Sequence, residues 1–197
     1  MTMRTNGHTL ILVRHAKAEH APGIPDHDRE LSPQGRKDAE AIGGWLSSPD
    51  HAVVLDLVLC STAERTRQTL NGVCAGGASV RETRFDERIY DGGAAGLLDV
   101  LREIPDSANA VIMIGHAPGI PVLASALARD DSRTSEVVDR LSLGFPTSGL
   151  AVLGFQGRWA ALAPEAAYLQ DFVVPRGESQ NALSARRDHG SNPRTGS

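Results

Sequence analysis

Arginine and histidine stand side by side at Arg14-His15, a second arginine follows at Arg65, and a second histidine at His116. Each belongs to the end of a short apolar run. Leu10-Ile11-Leu12-Val13 precedes Arg14, Leu57-Val58-Leu59-Cys60 precedes the stretch that carries Arg65, and Val111-Ile112-Met113-Ile114 precedes Gly115-His116. A guanidinium grips the oxygens of an anion with a planar fork, while an imidazole attacks or moves protons. Together they suit chemistry on a phosphate. Arg-His alone is too short a motif to mean this; two arginines and two histidines converging on one cleft would.

Convergence requires particular elements. Unbroken apolar runs of this length suit strands buried on both faces of a sheet. If the three runs are parallel neighbours, their carboxyl ends meet, and in open α/β sheets that is where ligands bind. A helix is expected after each strand. Ser32 reads as an N-cap and Pro33 as the first helical position of one reaching Leu46. Its apolar stripe is Ala39, Ile42, Trp45 and Leu46, with Gly43-Gly44 suggesting close packing. A second helix over 63–74 would put Arg65 in its first turn, beside free N–H groups that favour an anion. Further helices are expected over 94–104 and 118–128, and a more polar strand over 79–85. Residues 20–29 read as a loop and 129–139 as a charged connector. The last strands are expected at 149–155 and 159–163, joined as a hairpin by Gln156-Gly157-Arg158. The sum is an α/β fold whose sheet is mostly parallel with an antiparallel edge.

Composition narrows the function. Hydrophobic residues are 41% and charged residues 22% of 197, as in ordinary globular proteins. Aromatics are only 4%, so Leu, Val, Ile and Ala must fill the core. A net charge of -4 argues against general nucleic-acid binding, leaving local Arg and His to attract an anion. No stretch approaches the ~20 apolar residues of a membrane span. Cys60 and Cys74 have no zinc-type spacing and form no disulfide framework, which with the absence of a signal-type leader suggests the cytoplasm. From Pro175 on, the sequence is polar, rich in Gly, Pro and Ser, and aperiodic; a disordered tail over 175–197 is expected behind a catalytic domain over 1–174.

Read in order, LVRHAKAE, CSTAERTRQTL, ERIY and VIMIGHAPG resemble the motifs of the histidine phosphatase superfamily. The short spacing between them, and the phrase RELSPQGRKDAEAIGGWL, are similar to the small SixA-type phosphohistidine phosphatases. The resemblance implies a phosphoglycerate-mutase-like three-layer αβα sandwich. It implies that His15 is the nucleophile that becomes phosphorylated, that Arg14 and Arg65 bind the phosphoryl oxygens, and that His116 completes the pocket. Glu87 takes the place of the acid that protonates the leaving group in mutase-like members. Two positions depart from the pattern: Ala16 where Gly is usual, narrowing backbone approach to the phosphate, and Thr62 where Pro is frequent. The implied enzyme uses no metal or cofactor and acts on a phosphorylated protein or a small phosphate ester, with neither nucleic acid nor membrane as partner.

Other readings account for fewer residues. Arg67 competes with Arg65 but sits farther from the strand end, and Lys17 and Arg29 suit exposed or steering charges. A cysteine phosphatase built on Cys60 would need Arg at position 66, which is Thr66. No G-x-x-x-x-G-K loop is present for a nucleotide hydrolase. A metal hydrolase using His15, Glu19 and His20 would leave both arginines idle. A non-catalytic phosphoprotein-binding module on the same fold would have no use for a nucleophile, and a mutase would need longer insertions.

Overall fold

A computed structural model describes residues 7–20, 22–129 and 135–178. Its centre is a six-stranded sheet in the order β3-β2-β4-β1-β5-β6. The strands are β1 (His8–Arg14), β2 (Val54–Cys60), β3 (Ser79–Phe85), β4 (Ala110–Gly115), β5 (Leu150–Phe155) and β6 (Ala167–Val173). The first four are parallel; β5 runs against β1, and β6 against β5. The three apolar runs are therefore the adjacent strands β2, β4 and β1.

These strands are apolar throughout because alternate residues feed two separate cores. Leu10, Leu12, Val111, Met113, Leu57 and Leu59 face one side, where α4 (Ala94–Arg102), α5 (Gly119–Leu127) and α6 (Ser135–Ser142) supply Leu97, Leu101, Leu123 and Leu141. Ile11, Val13, Ile112, Ile114, Val58 and Cys60 face the other, against Ile42 and Leu46 of α1 (Pro33–Ser47) and Leu70 and Val73 of α2 (Glu64–Ala75). The result is a three-layer αβα sandwich. A one-turn helix, α3 (Arg88–Asp91), follows β3 and buries Ile89. Among the described residues, no helix is long and apolar enough to cross a membrane.

Ser32 caps α1, its Oγ accepting from Gly35 N, with Pro33 in the first turn. Close packing of α1 on α2 explains Gly43: a Cβ there would lie 2.1 Å from the Val73 carbonyl oxygen. Trp45 packs against the same core as Ile42 and Leu46 but is only half-buried, its outer part stacking on His51 at 3.9 Å.

Three further differences concern the C-terminal half. The partner of β5 is Ala167–Val173, not 159–163, and Trp159–Ala161 is a 3-10 turn. Residues 159–163 are apolar without alternation, and Trp159 acts as a buried plug: its indole N–H donates to the Ala108 carbonyl, and its ring packs on His8 and Phe155. The segment 167–173 alternates, with one slip at the β-bulge opposite Val152/Leu153 that lets Leu169 and Phe172 both point inward. The charged connector also holds α6; its residues 130–134 lie outside the described residues. Finally, residues just past the expected boundary at 174 contact α1. Buried Asp38 accepts hydrogen bonds from Arg176 Nη1 at 2.7 Å and Gly177 N at 3.1 Å. Residues 179–197, the rest of the expected tail, lie outside the described residues.

Candidate active site

The carboxyl ends of β1, β2 and β4 deliver the chemistry to one place. Backbone bonds set the register there: His15 N donates to Gly115 O at 3.0 Å, and Ser61 N to Ile114 O at 3.0 Å. The His15 and His116 rings consequently sit with centroids 5.1 Å apart. Arg65, reaching in from the first turn of α2, is only 6% exposed and brings Nε to 3.3 Å from His15 Nε2.

His15 is held in one tautomer. Its Nδ1 lies 2.8 Å from the Ala16 carbonyl, an oxygen that can only accept, so Nδ1 carries the proton and Nε2 keeps the lone pair. Burial pushes the His15 pKa down to about 4; the Ala16 hydrogen bond opposes this, and the charges of Arg65, Arg14 and Arg29 add to it. The imidazole is thus neutral at physiological pH, chiefly because it is desolvated rather than because arginines surround it.

His116 is anchored through one ring nitrogen. Ser61 Oγ lies 2.9 Å from His116 Nε2 and accepts from Ala63 N at 3.4 Å. With the hydroxyl donating to Nε2, the ring proton sits on Nδ1. That nitrogen is buried with no partner among the described residues, as is Arg14 Nε. Arg14 Nε, and His116 Nδ1 in that tautomer, are donors without an acceptor among the described residues. His116 is held neutral, at about 3, first by burial and then by the charges of His15 and Arg65.

Arg14 is fixed from behind, its Nη1 donating to Phe145 O at 2.8 Å. The segment before β5 also binds the backbone of Arg14 and His15: Ser148 N reaches both Arg14 O and His15 O at 3.2 Å. Ser148 adopts φ 64, a left-handed conformation that costs a serine on the order of 1 kcal/mol. This strain is held in place where the chain must turn beneath the pocket.

Arg67 is elsewhere, with Nε on the Thr62 carbonyl and its guanidinium 4.2 Å from the Phe85 ring centroid. Lys17 is exposed, and Arg29 braces a loop through Glu19 O and Asp26. Glu87 is exposed at the start of α3; its carbonyl accepts from Tyr90 N at 3.0 Å, and its side chain makes no hydrogen bond or ion pair among the described residues. The Ala16 methyl packs with Leu31 and Ala39, and Thr62 Oγ1 meets His27 Nε2 at 3.0 Å. Cys60 is buried, its thiol pushed up to about 12 by desolvation, which leaves it inert. Three contributors escaped the sequence reading: Asp26, Tyr90 and Ser148. Tyr90 stood within the ERIY phrase and Asp26 in a loop of interchangeable polar residues, while Ser148 is betrayed only by its backbone angle.

Known proteins resemble this chain over most of its length. An uncharacterised protein of Mycobacterium tuberculosis is 40% identical over 166 residues, 83% of this chain and all of that one. Among solved structures, a candidate phosphohistidine phosphatase SixA of Nakamurella multipartitia is 38% identical with a TM-score of 0.75, covering 87% of this chain and 98% of that one. Another from Agrobacterium tumefaciens is 30% identical with a TM-score of 0.68, covering 87% and 100%. A family model for the histidine phosphatase superfamily (branch 1) matches residues 10–141. Since that match spans well over half of the chain and takes in Arg14, His15, Arg65 and His116, the chain belongs to the histidine phosphatase superfamily.

Proposed function

We propose that the protein is a metal-independent phosphohistidine phosphatase of the SixA type, working through a phosphorylated His15. Family membership supports a phosphatase. The likeness to the Nakamurella and Agrobacterium proteins favours phosphohistidine as the substrate.

In the first step the His15 Nε2 lone pair attacks phosphorus, and the bond from phosphorus to the leaving atom breaks with its electron pair departing on that atom. Arg14, Arg65 and His116 Nδ1–H stabilise charge on the equatorial oxygens. Water then attacks the phosphoryl group on His15, loses a proton to solvent, and releases inorganic phosphate with the Nε2 lone pair restored.

The observation that carries the substrate class is the state of the carboxylates. Glu87 is exposed and its side chain has no partner among the described residues, so no contact of the chain holds it as a proton donor. Asp26, which contacts Arg65, is held ionised far below the usual carboxylate range by hydrogen bonds from Arg29 and then Tyr90. A phosphohistidine protonated on its other ring nitrogen needs neither of them, because it leaves as neutral imidazole. An alkyl phosphate would need an acid.

The test is turnover of a phosphohistidine-bearing protein and of p-nitrophenyl phosphate, with EDTA present, by wild type and His15→Ala. The expected result is metal-independent turnover that prefers the phosphohistidine protein and falls at least about a thousandfold in the variant. Activity surviving in His15→Ala would sink the mechanism. A preference for small esters would move the substrate to a phosphomonoester, and phosphate binding without a phosphoenzyme would leave a binding module.

A further inference from the structure

The loop between β1 and α1 is closed at its base and locked onto the pocket. At the base, Ala18 bridges Leu31, Glu19 N donates to Glu30 O at 2.8 Å, and Ser32 N to Lys17 O at 2.9 Å. Gly35 seals this base against α1, since a Cβ there would lie 2.0 Å from the Lys17 carbonyl oxygen. At the tip, His27 meets Thr62 and rests edge-on to the Tyr90 ring, with centroids 5.0 Å apart.

Asp26 stands at the centre of this tip. Its carbonyl accepts from Arg65 Nη1 at 2.5 Å, and its Oδ2 accepts from Arg65 Nη2 at 2.9 Å. Tyr90 OH donates to the same Oδ2 at 2.8 Å, and Arg29 Nη1 to Oδ1 at 2.9 Å. A guanidinium has two forks, one formed by Nη1 and Nη2 at its end and one by Nε and Nη2 along its side. One residue occupies the end fork with a backbone and a side-chain oxygen. The side fork is the edge that remains, and its Nε is the atom at 3.3 Å from His15 Nε2.

The geometry points to Asp26 as the positioning residue of the site: it grips the end fork of Arg65 so that the side fork faces the phosphoryl group bound at His15, and Tyr90 holds its carboxylate in place. This rests on the phosphatase reading, because it assumes a phosphoryl group at His15. It assigns Asp26 no proton transfer. The carboxylate contributes through Arg65, and the loop becomes part of the catalytic machinery rather than a cover.

Two measurements read it, kcat and KM for p-nitrophenyl phosphate and calorimetric binding of inorganic phosphate. Asp26→Ala should lower kcat about tenfold or more and weaken phosphate binding about fivefold, since the guanidinium is no longer aimed. Asp26→Asn keeps the backbone oxygen and one side-chain acceptor, giving up the acceptor for Arg29, and should recover part of the loss; Tyr90→Phe, which removes one hydrogen bond and keeps the ring, should show a smaller fall of about two- to fivefold. Asp28→Asn, on the same loop but paired only with His27, serves as the control. If Asp26→Ala fails to fold, Asp26→Asn and Tyr90→Phe decide. The inference is overturned if Asp26→Ala binds phosphate more tightly with kcat unchanged, which would make the carboxylate a competitor for Arg65, or if the Asp26 and Tyr90 variants match wild type. A wild type that turns over nothing would defeat the phosphatase reading instead, and the phosphate titrations would still report whether Asp26 aims Arg65.

Discussion

At the scale of single residues, protonation states set by burial do most of the preparation. His15 and His116 are both neutral because their rings leave water, and the Ala16 carbonyl fixes the tautomer that leaves His15 Nε2 its lone pair. The neutrality has a direct readout: side-chain nitrogen shifts of His15 and His116 should show neutral rings down to about pH 5, the pair titrating near 4 and below. Titration of His15 near the ~6.5 of a free histidine would contradict this. The same shift sets a sign for stability. The unfolded chain takes up protons below about 6.5 while the folded one resists until about 4, so stability present above that window is lost as pH falls through it. The His116 tautomer depends on Ser61. Ser61→Ala should cost about tenfold in kcat/KM, on the order of 1.4 kcal/mol of transition-state stabilisation, with little change in melting temperature. An unchanged kcat/KM would mean that Ser61 does not orient the ring.

At the scale of elements, the placement of Arg65 depends on how closely α2 approaches α1. Two neighbouring glycines on α1 separate packing from propensity. A methyl at Gly43 would collide with the backbone of Val73 and Gly76, at 2.1 and 2.8 Å. The ~1 kcal/mol gained in helix propensity is outweighed by an overpacking cost of about 1–3 kcal/mol, because backbone cannot rotate away. At Gly44 the nearest atom is 4.0 Å away, so the propensity gain stands. Thermal melts should therefore show Gly43→Ala lowering the melting temperature and Gly44→Ala leaving it unchanged or raised. Equal effects would mean the helices can move apart.

At the scale of the whole molecule, one sheet feeds two cores, and the chain end is tied back across them. Asp38 is only 1% exposed, and its partners include Arg176 and Gly177, which follow the last strand. A chain cut after Val174 would keep the Gln34 contact of Asp38 and lose these two. That should cost about 1–3 kcal/mol, or roughly 3–10 °C in melting temperature. Asp38→Asn in the cut chain should restore part of it, because a neutral amide is cheaper to bury. A cut chain that melts like the full one would place the domain boundary at 174 after all.

Much of this was legible without coordinates because it is local. Apolar runs of strand length ending in Arg14-His15, Ser61 and Gly115-His116, a Ser-Pro helix start and glycines at a helix seam each carry their meaning within a few residues. Parallel packing of buried strands then forces the run ends together. The tertiary structure decided what depends on partners far apart in the chain. The register of Ser61 and His15 against β4 sets Ser61 Oγ on His116 Nε2, and the closed loop places Asp26 on Arg65 and Tyr90. Strict alternation, broken by one bulge, makes 167–173 rather than the apolar 159–163 the partner of β5. Glu87, legible only as part of a motif, lies exposed, because a motif specifies a residue's place in the chain and leaves the direction of a surface side chain to the packing around it.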